Sequence, residues 1–473
     1  MPRRDAGTSG GVRDDSLRVG MIALGCAKNL VDGEVMLGHL RRAGVAITSD
    51  PSSADVVVVN TCGFVADAKQ ESIAALLEVA EAKRRGQVRR LVVTGCMAQR
   101  YAEELAREIG EIDAFVGLDE LEEVVAAVRG DLAGHIPEQR EALRLYDHHQ
   151  PRVLSTTGYA FLKIAEGCSN PCAFCHIPRM RGRFRSRRPD DLVAEARRLE
   201  AGGVHELILI AQDTTRYGED LALEDGLRHL LERLLEATEV AWIRVLYAYP
   251  ATLDEGLFEL MAKEPRLVPY LDLPLQHCAR GVLKAMRRGG DGRAFAALIE
   301  RARRIVPELA VRSTMLVGFP GEGEAEFQEL LEFVREVRLD HMGVFTYSWQ
   351  EENPGADLGD PVPCQVKEER RARLMEAQQP VSLARNAALV GRSLPALVSG
   401  PLAEMELLTE AHLARQAPEI DGRLLLNDGT APAGSLVEAE ITEAHPYDLV
   451  GRLVKVLRPG RGPGVRAELP VLD

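Results

Sequence analysis

The chain has 473 residues, of which 46% are hydrophobic and 27% are charged, and its formal net charge at pH 7 is −14. This composition is typical of a globular protein of about three domains, and no apolar run approaches the roughly 18 residues of a membrane-spanning helix. The polar, glycine-rich residues 1–16 lack a signal-peptide core and are predicted to form a disordered tail, so we expect a cytoplasmic protein with no membrane partner.

Residues 17–133 alternate short apolar strands with helical patterns. The strand candidates are "RVGMIAL", "DVVVVN", "RLVVTG" and "AFVG", and between them Ile73, Leu76 and Ala80 recur at helical spacing. This alternation predicts an α/β domain with a parallel sheet that is covered on both faces. The polar residues 134–157 that follow are interpreted as a linker.

Residues 154–384 repeat the alternation with six strand candidates: "YAFLKIA", "ELILIAQD", "WIRVLYAY", "YLDLPLQ", "VRSTMLVGF" and "HMGVFTYS". Six consecutive βα units predict a TIM-like (β/α)6 barrel that is incomplete by two units. Residues 392–459 change to short strands with Gly, Pro and Asn turns, which predicts a small antiparallel β-barrel of OB type. The last residues, 460–473, are predicted to form a flexible tail.

Three cysteines follow the first barrel strand with the spacing C-x3-C-x2-C: Cys168, Cys172 and Cys175. In a large chain without an export signal, such clusters more often bind metal than form disulfides. The candidates are an iron–sulfur cluster of 4Fe–4S type with one open iron, a zinc site completed by His176, a c-type haem at "CAFCH", and three buried inert thiols. Haem attachment needs export, and adjacent Cys175 and His176 fit a tetrahedral zinc site poorly, so the iron–sulfur interpretation is favoured.

A second set of cysteines lies in the N-terminal domain. Cys26 lies in "ALGCAKN", Cys62 in "VNTCGF" and Cys96 in "VTGCMAQ", each between an apolar strand and a helix. The carboxyl ends of parallel strands meet at one edge of a sheet, so we expect these thiols to converge on a second cluster. The alternative is three independent loop cysteines. Cys278 is interpreted as core packing, and Cys364 as a linker residue without a function.

The barrel motif, with Phe174 before its last cysteine, resembles the radical S-adenosylmethionine (SAM) superfamily. In that superfamily the open iron binds SAM, and one electron cleaves SAM to give a 5′-deoxyadenosyl radical. The resemblance implies SAM contacts at the ends of barrel strands, from Gln212, Asp213, Gln276 and Gly318 of the "VGFPGE" loop. The alternative for each of these residues is ordinary barrel packing and capping.

The two cysteine sets together resemble the methylthiotransferases, whose auxiliary-cluster domain, radical SAM barrel and TRAM β-barrel follow in this order. The segments "LGCAKNLVDGE", "KIAEGCSNPCAFCHIPRMRGRFRSR" and "ARQAPEIDG" resemble the group that modifies the β-carbon of an aspartate in ribosomal protein twelve of the small subunit. Gly33 and Gly323 depart from that group's usual serine and threonine, but neither is a ligand.

That resemblance implies two 4Fe–4S clusters that face one cavity, two SAM molecules, and a low-potential electron donor of flavodoxin or ferredoxin type. The implied partner is ribosomal protein twelve or the assembling small ribosomal subunit. A transfer-RNA methylthiotransferase that acts on an adenosine derivative, and a zinc-dependent RNA-binding module without catalysis, remain as alternatives.

Local charge points in two directions. Residues 392–458 contain six basic and ten acidic residues, a net charge of −4, which suits a basic ribosomal protein better than RNA. Six arginines lie between Arg179 and Arg188, and they could hold RNA phosphates or pair with carboxylates of the barrel.

Overall fold

The structure is a computed structural model that describes residues 17–138, 144–402, 405–460 and 471–472. The predicted disordered tail, 1–16, and most of the predicted flexible tail, 461–470 and 473, lie outside these residues. The chain separates into two compact units, of which the first contains most of the described chain up to residue 138. No helix within the described ranges is both long enough and apolar enough to span a membrane.

The first unit is a five-stranded parallel sheet with its helices, as the sequence predicts. Its elements are β1 (Arg18–Ala23), α1 (Ala27–Arg42), β2 (Ala46–Thr48), β3 (Val56–Thr61), α2 (Ala66–Arg84), β4 (Arg90–Thr94), α3 (Gly95–Glu108), β5 (Ile112–Val116) and α4 (Val124–Arg129). The strand order is β2-β1-β3-β4-β5. Every residue of β3 is buried, because a central parallel strand is covered on both faces and can be apolar throughout.

The second unit begins with an incomplete (β/α)6 barrel. Its elements are β6 (Arg152–Val153), β7 (Tyr159–Lys163), β8 (Ala165–Glu166), α5 (Ile177–Met180), β9 (Arg185–Ser186), α6 (Pro189–Ala201), β10 (Glu206–Ile210), α7 (Gly226–Ala237), β11 (Trp242–Val245), α8 (Glu255–Lys263), β12 (Tyr270–Asp272), α9 (Arg280–Ala285), α10 (Gly292–Ile305), β13 (Ala310–Val317), α11 (Glu324–Val337), β14 (His341–Thr346) and α12 (Cys364–Ala387).

The six barrel strands form two parallel sheets, β7-β10-β11 and β12-β13-β14. The sheets meet beside β11, where the backbone N–H of Val268 donates to the carbonyl of Ile243 at 3.0 Å. β7 and β14 are the outer strands of this order, so the barrel is incomplete, as the count of six βα units predicts.

The stretch interpreted as a linker packs against the barrel over its described part. Arg152 forms a buried ion pair with Glu195 at 2.9 Å, and the Tyr146 ring lies 4.3 Å from the Arg187 guanidinium carbon. The residues that read as polar linker in the sequence therefore pair with charges of α6 and its neighbours. β6 also pairs with β20 (Val471–Leu472), close to the end of the chain.

The rest of the second unit is a closed five-stranded β-barrel. Its strands are β15 (Ser393–Leu402), β16 (Met405–Leu413), β17 (Leu424–Asp428), β18 (Leu436–Ala444) and β19 (Leu449–Arg458), in the order β15-β16-β17-β19-β18. Four of the five strand pairs are antiparallel, and the β17–β19 pair is parallel. The predicted small antiparallel barrel is thus confirmed, with one parallel pair that short-range alternation could not reveal.

A segment of this β-barrel, residues 412–421, covers the amino ends of the large barrel's strands; we call it the floor segment. His412 Nε2 lies 2.6 Å from a carboxylate oxygen of Glu206. Arg244 donates to the same carboxylate at 2.6 Å and to the Ala414 carbonyl at 2.8 Å. The Glu206 and Arg244 side chains are fully buried, so each depends on these partners.

Asp421 anchors the other end of the floor segment. The Tyr270 hydroxyl donates to its carboxylate at 2.6 Å, and Arg312 Nε lies 3.3 Å from the other oxygen. His341 Nε2 donates to the Arg415 carbonyl at 2.8 Å. The acidic motif "ARQAPEIDG" therefore supplies internal contacts of the fold, which its sequence alone did not indicate.

Candidate functional site

The first cysteine set lies at one edge of the parallel sheet of the first unit. Cys26, Cys62 and Cys96 follow β1, β3 and β4, which are neighbours in the sheet and parallel. Cys26 is the N-cap residue of α1, and Cys96 is in the first turn of α3. The structure therefore brings together the three strand ends on which the predicted trio stands.

Glycines let the three turns approach closely. Gly25 has a φ of +96°, and a Cβ on it would lie 3.1 Å from Cys62 Sγ. A Cβ on Gly63 would lie 3.2 Å from the Cα of Met97, the residue after Cys96. Side chains at these glycines would push the turns apart, because such distances are shorter than ordinary van der Waals contact.

Asn29 joins two of the cysteine-bearing turns by hydrogen bonds, and the cysteine pattern did not single it out. Its amide donates to the Leu24 carbonyl at 2.7 Å and to the Thr61 carbonyl at 3.3 Å. The Asn60 amide donates in turn to the Asn29 carbonyl at 2.7 Å. These bonds fix the turns that carry Cys26 and Cys62. The available signal was the polar residue in "GCAKN", three positions after a cysteine.

The second set, Cys168, Cys172 and Cys175, lies on the loop between β8 and α5. Cys168 and Cys172 are 8% and 7% exposed. The loop is held by backbone bonds on both sides of Ala173, which donates to the Met286 carbonyl and accepts from Gly355 N, both at 2.9 Å. These two hydrogen bonds fix the backbone of the loop that carries the thiols.

Burial raises the pKa of the Cys168 thiol to about 11 and that of Cys175 to about 12, and the neighbouring thiols add to both shifts. At neutral pH the two thiols are protonated without metal, so binding of iron at this trio would release protons.

His176, the fourth ligand of the zinc alternative, is engaged elsewhere. Its side chain is 1% exposed, and Nδ1 donates to Asn353 Oδ1 at 2.8 Å. Among the described residues, no three His, Cys, Asp or Glu side chains gather around a point as they would for a single metal ion. The thiolates of a 4Fe–4S cluster each bind a different iron.

A buried polar network joins Glu166, the last residue of β8, to Gln212. Glu166 accepts from Lys163 at 2.8 Å, from Arg181 at 3.0 Å and from Gln212 Nε2 at 3.2 Å. Burial opposes ionisation, but Arg181 and Lys163 lower the pKa of Glu166 below its ordinary value. Gln212 Oε1 is buried and has no hydrogen-bond partner in the described part of the chain. It is an acceptor that a polar ligand could satisfy.

Asp213 connects the end of β10 to the cysteine loop. Its carboxylate accepts from Asn170 Nδ2 at 2.8 Å and from the Thr215 hydroxyl at 2.6 Å. Asn170 N donates to Cys168 Sγ at 3.5 Å. Burial raises the pKa of Asp213, although its hydrogen bonds to Thr215 and Asn170 act in the opposite direction.

Gln276 and Gly318 lie beyond the carboxyl ends of β12 and β13, respectively. Gln276 has a φ of +72°, and its backbone N–H donates a hydrogen bond to the Thr314 carbonyl at 2.8 Å. Gly318 has a φ of +77°, and a Cβ there would collide with the Lys367 side chain of α12. Packing against α12 therefore accounts for Gly318, whether or not it also contacts a ligand.

Arg181 and Arg187, from the cluster of six arginines, form internal ion pairs. Arg181 binds Glu166, and Arg187 lies 2.7 Å from Glu195 and 2.6 Å from Asp191. Three others, at positions 179, 183 and 188, are exposed. The pairing alternative thus holds for Arg181 and Arg187.

The comparisons with known families match each region of the chain in turn. Residues 18–117 match the family described as "Uncharacterized protein family UPF0004", residues 162–334 match the Radical SAM superfamily, and residues 390–454 match the TRAM domain. Together, the fold and these matches define a radical SAM enzyme with a TRAM domain.

Relatives cover nearly the whole chain. The chain is 49% identical over 438 residues to the "Ribosomal protein uS12 methylthiotransferase RimO" of Anaeromyxobacter sp. (strain K), covering 92% of this chain and 93% of that relative. It is 46% identical over 461 residues to the protein of the same name from Solibacter usitatus (strain Ellin6076), covering 95% and 98%. The chain belongs to the RimO family of radical SAM methylthiotransferases. The predicted iron–sulfur and SAM chemistry is consistent with this membership.

Solved structures support the fold. The radical SAM methyltransferase TsrM from Kitasatospora setae, solved with cobalamin and a [4Fe-4S] cluster, matches with a TM-score of 0.53 and 16% identity, over 72% of this chain and 77% of that chain. This similarity confirms the predicted α/β class.

Proposed function

We propose that the protein replaces a hydrogen on the β-carbon of an aspartate in ribosomal protein uS12 with a methylthio group. The reaction would use two SAM molecules and two 4Fe–4S clusters. The observation that carries this proposal is the pair of separate thiol trios, one at the carboxyl ends of three parallel strands and the other on the single loop between β8 and α5. The relatives named for uS12 methylthiolation support this choice of target, because their alignments cover 92% or more of the chain.

The residues divide by task. Cys168, Cys172 and Cys175 would hold one cluster and leave its fourth iron for SAM, and a second cluster would bind to the trio of the first unit. When bound, these groups and SAM would supply an electron, a hydrogen-abstracting radical and the methylthio group. The protein's part is to bind them and to exclude water, and the four buried thiols, those of Cys62, Cys96, Cys168 and Cys172, fit that task, whereas Cys26 is exposed.

SAM would lie along the strand ends that carry Gln212, Asp213, Gln276 and Gly318. The unpaired Gln212 Oε1 supports this placement, because a buried acceptor without a partner is costly unless a ligand donates to it. The left-handed backbone at Gln276 supports it as well, since non-glycine residues in this conformation cluster at functional sites.

The partners of the proposed reaction are uS12, free or in the assembling small subunit, and a low-potential donor of flavodoxin or ferredoxin type. The reaction would take place in the cytoplasm, where ribosomes are assembled. Several acidic residues of the small β-barrel have partners within the fold. Asp421 is buried against the large barrel, and Glu438 and Glu440 pair with Lys455 and Arg452.

The test is mass analysis of uS12 incubated with anaerobically reconstituted enzyme, SAM and a reductant. We expect the wild-type protein to cleave SAM and to add one methylthio group to uS12. Cys172→Ala should abolish both, because the loop would keep only two thiolates. Cys364→Ala, a change at an exposed cysteine outside both trios, is the matched control and should retain both activities.

SAM cleavage that survives Cys172→Ala would contradict the cluster assignment. Unmodified uS12 alongside a newly methylthiolated adenosine derivative in transfer RNA would instead identify a transfer-RNA methylthiotransferase. Bacterial strains with and without the gene would provide both the uS12 and the transfer-RNA samples for this comparison.

A further inference from the structure

Arg288 contacts the second cysteine set, and the function proposed above gives it no role. Its Nη1 lies 3.7 Å from Cys172 Sγ in donating geometry. Sulfur is a large acceptor, so this distance is a hydrogen bond from a permanently charged group to a predicted cluster ligand.

The Arg288 guanidinium is fixed by two further partners. Nη2 donates to the Pro274 carbonyl at 2.7 Å, and the guanidinium carbon lies 4.4 Å from the centroid of the Tyr249 ring. Its backbone N–H donates to the Leu283 carbonyl at 2.8 Å, which closes the end of α9. A long side chain held on three sides keeps its position at little further cost in entropy.

The backbone fixes the same distance independently. Ala173, the neighbour of Cys172, donates to the carbonyl of Met286, two residues before Arg288, at 2.9 Å. The loop that carries the thiol and the segment that carries the guanidinium are thus bonded to each other directly. The Arg288–Cys172 contact is therefore part of the scaffold.

We propose that Arg288 is a positioning residue that raises the reduction potential of the cluster at Cys168, Cys172 and Cys175 by donating to the Cys172 thiolate. Reduction adds one negative charge to a cluster, and a donor or cation at a ligand sulfur stabilises that added charge. Arg288 is only partly exposed, so solvent does not fully screen its charge. This inference depends on the proposed function through the assignment of the cluster.

The experiment measures the midpoint potential of the barrel cluster in the full-length reconstituted protein, without SAM, by spectroscopically monitored redox titration. The variants are Arg288→Gln, which removes the charge, and Arg288→Lys, which keeps a charge but loses the planar fork. Arg280→Gln is the control, because Arg280 is an exposed arginine at the start of α9, the helix that precedes Arg288. The affinity for SAM is measured on the same samples.

We expect Arg288→Gln to make reduction about tenfold less favourable, a shift of about 59 mV to more negative potential for one electron. Arg288→Lys should shift the potential in the same direction by a smaller amount, and Arg280→Gln should leave it unchanged. If Arg288→Gln does not retain a full cluster, the Arg288→Lys variant decides: a shift to more negative potential supports the inference, and a shift to more positive potential contradicts it.

Potentials that equal the wild-type value in both variants would overturn the inference. A loss of SAM affinity without a change in potential would also overturn it, because the guanidinium would then bind the cofactor rather than tune the cluster. A wild-type protein that assembles no redox-active cluster at this trio would instead refute the proposed function. The two failures are therefore distinguishable.

Discussion

Gly318 combines a backbone constraint with a packing constraint at one position. Its left-handed φ disfavours any side chain, and the aliphatic part of Lys367 occupies the space that a Cβ would need. Lys367 cannot easily move away, because its Nζ binds the Tyr347 carbonyl at 2.8 Å and the carboxylate of Asp360. The contact ties the loop after β13 to α12.

We expect Gly318→Ala to lower the free energy of unfolding by about 2–4 kcal/mol, since left-handed strain and overpacking add. Gly321→Ala is the matched control: its φ is +94°, but a Cβ there meets nothing within 4 Å. That variant should lose only about 1–2 kcal/mol, for backbone strain alone. Urea unfolding followed by circular dichroism measures both, and equal losses would show that Lys367 contributes nothing.

Residue spacing predicted the two cysteine sets because short motifs and strand–Cys–helix placement are local in sequence. It could not predict Arg288, whose contact joins residues 116 positions apart. Glu166 was likewise hidden, because only the fold shows that Arg181 and Gln212 reach the same carboxylate. When the partner of a charged residue lies far along the chain, the sequence alone suggests that the residue is on the solvated surface.

At the scale of elements, the floor segment joins the two barrels of the second unit through buried charges. Asp421 is 1% exposed and contacts Arg312 and Tyr270. Removing one member of a buried ion pair leaves the other charge uncompensated, which costs more than the pair itself contributed.

We therefore expect Asp421→Ala to lower the free energy of unfolding of the second unit by about 3–5 kcal/mol. Glu440→Ala breaks a pair with Arg452 on the exposed side of the small β-barrel and should change little. Thermal unfolding of both variants provides the comparison. A similar unfolding temperature for the two would mean that the floor contacts do not stabilise the fold.

Alternation of strands and helices predicted the elements and the class of each region, because strands and helices have different hydrophobic periods. The alternation could not predict contacts between regions that lie far apart in the sequence. The described part of the stretch interpreted as a linker, residues 144–157, is held by Arg152 and Tyr146 against α6. A polar composition predicts a loop, but it does not show whether the charged side chains face water or a buried partner.

At the scale of the whole molecule, the two cysteine sets belong to separate compact units. Each set is presented by its own sheet or barrel, so loss of a ligand in one should not prevent the other from binding iron. This independence is a consequence of fold, and it gives the proposed two-cluster content a direct test.

Cys62→Ala should reduce the iron and sulfide bound per reconstituted chain to about half, with SAM cleavage retained and methylthiolation of uS12 lost. Iron and sulfide analysis, with Cys364→Ala as the control, measures the change. A complete loss of iron would contradict independent sites, and an unchanged content would show that Cys62 binds no cluster.

The floor segment also sets an order of events during translation. Glu206 leaves the ribosome 206 residues before His412, its partner. Until the last domain has been synthesised, the base of the nascent barrel therefore presents Glu206, Arg244 and Tyr270 to water. We expect a chain that stalls before residue 412 to remain a target for proteases and chaperones, because these buried charges would have no partners.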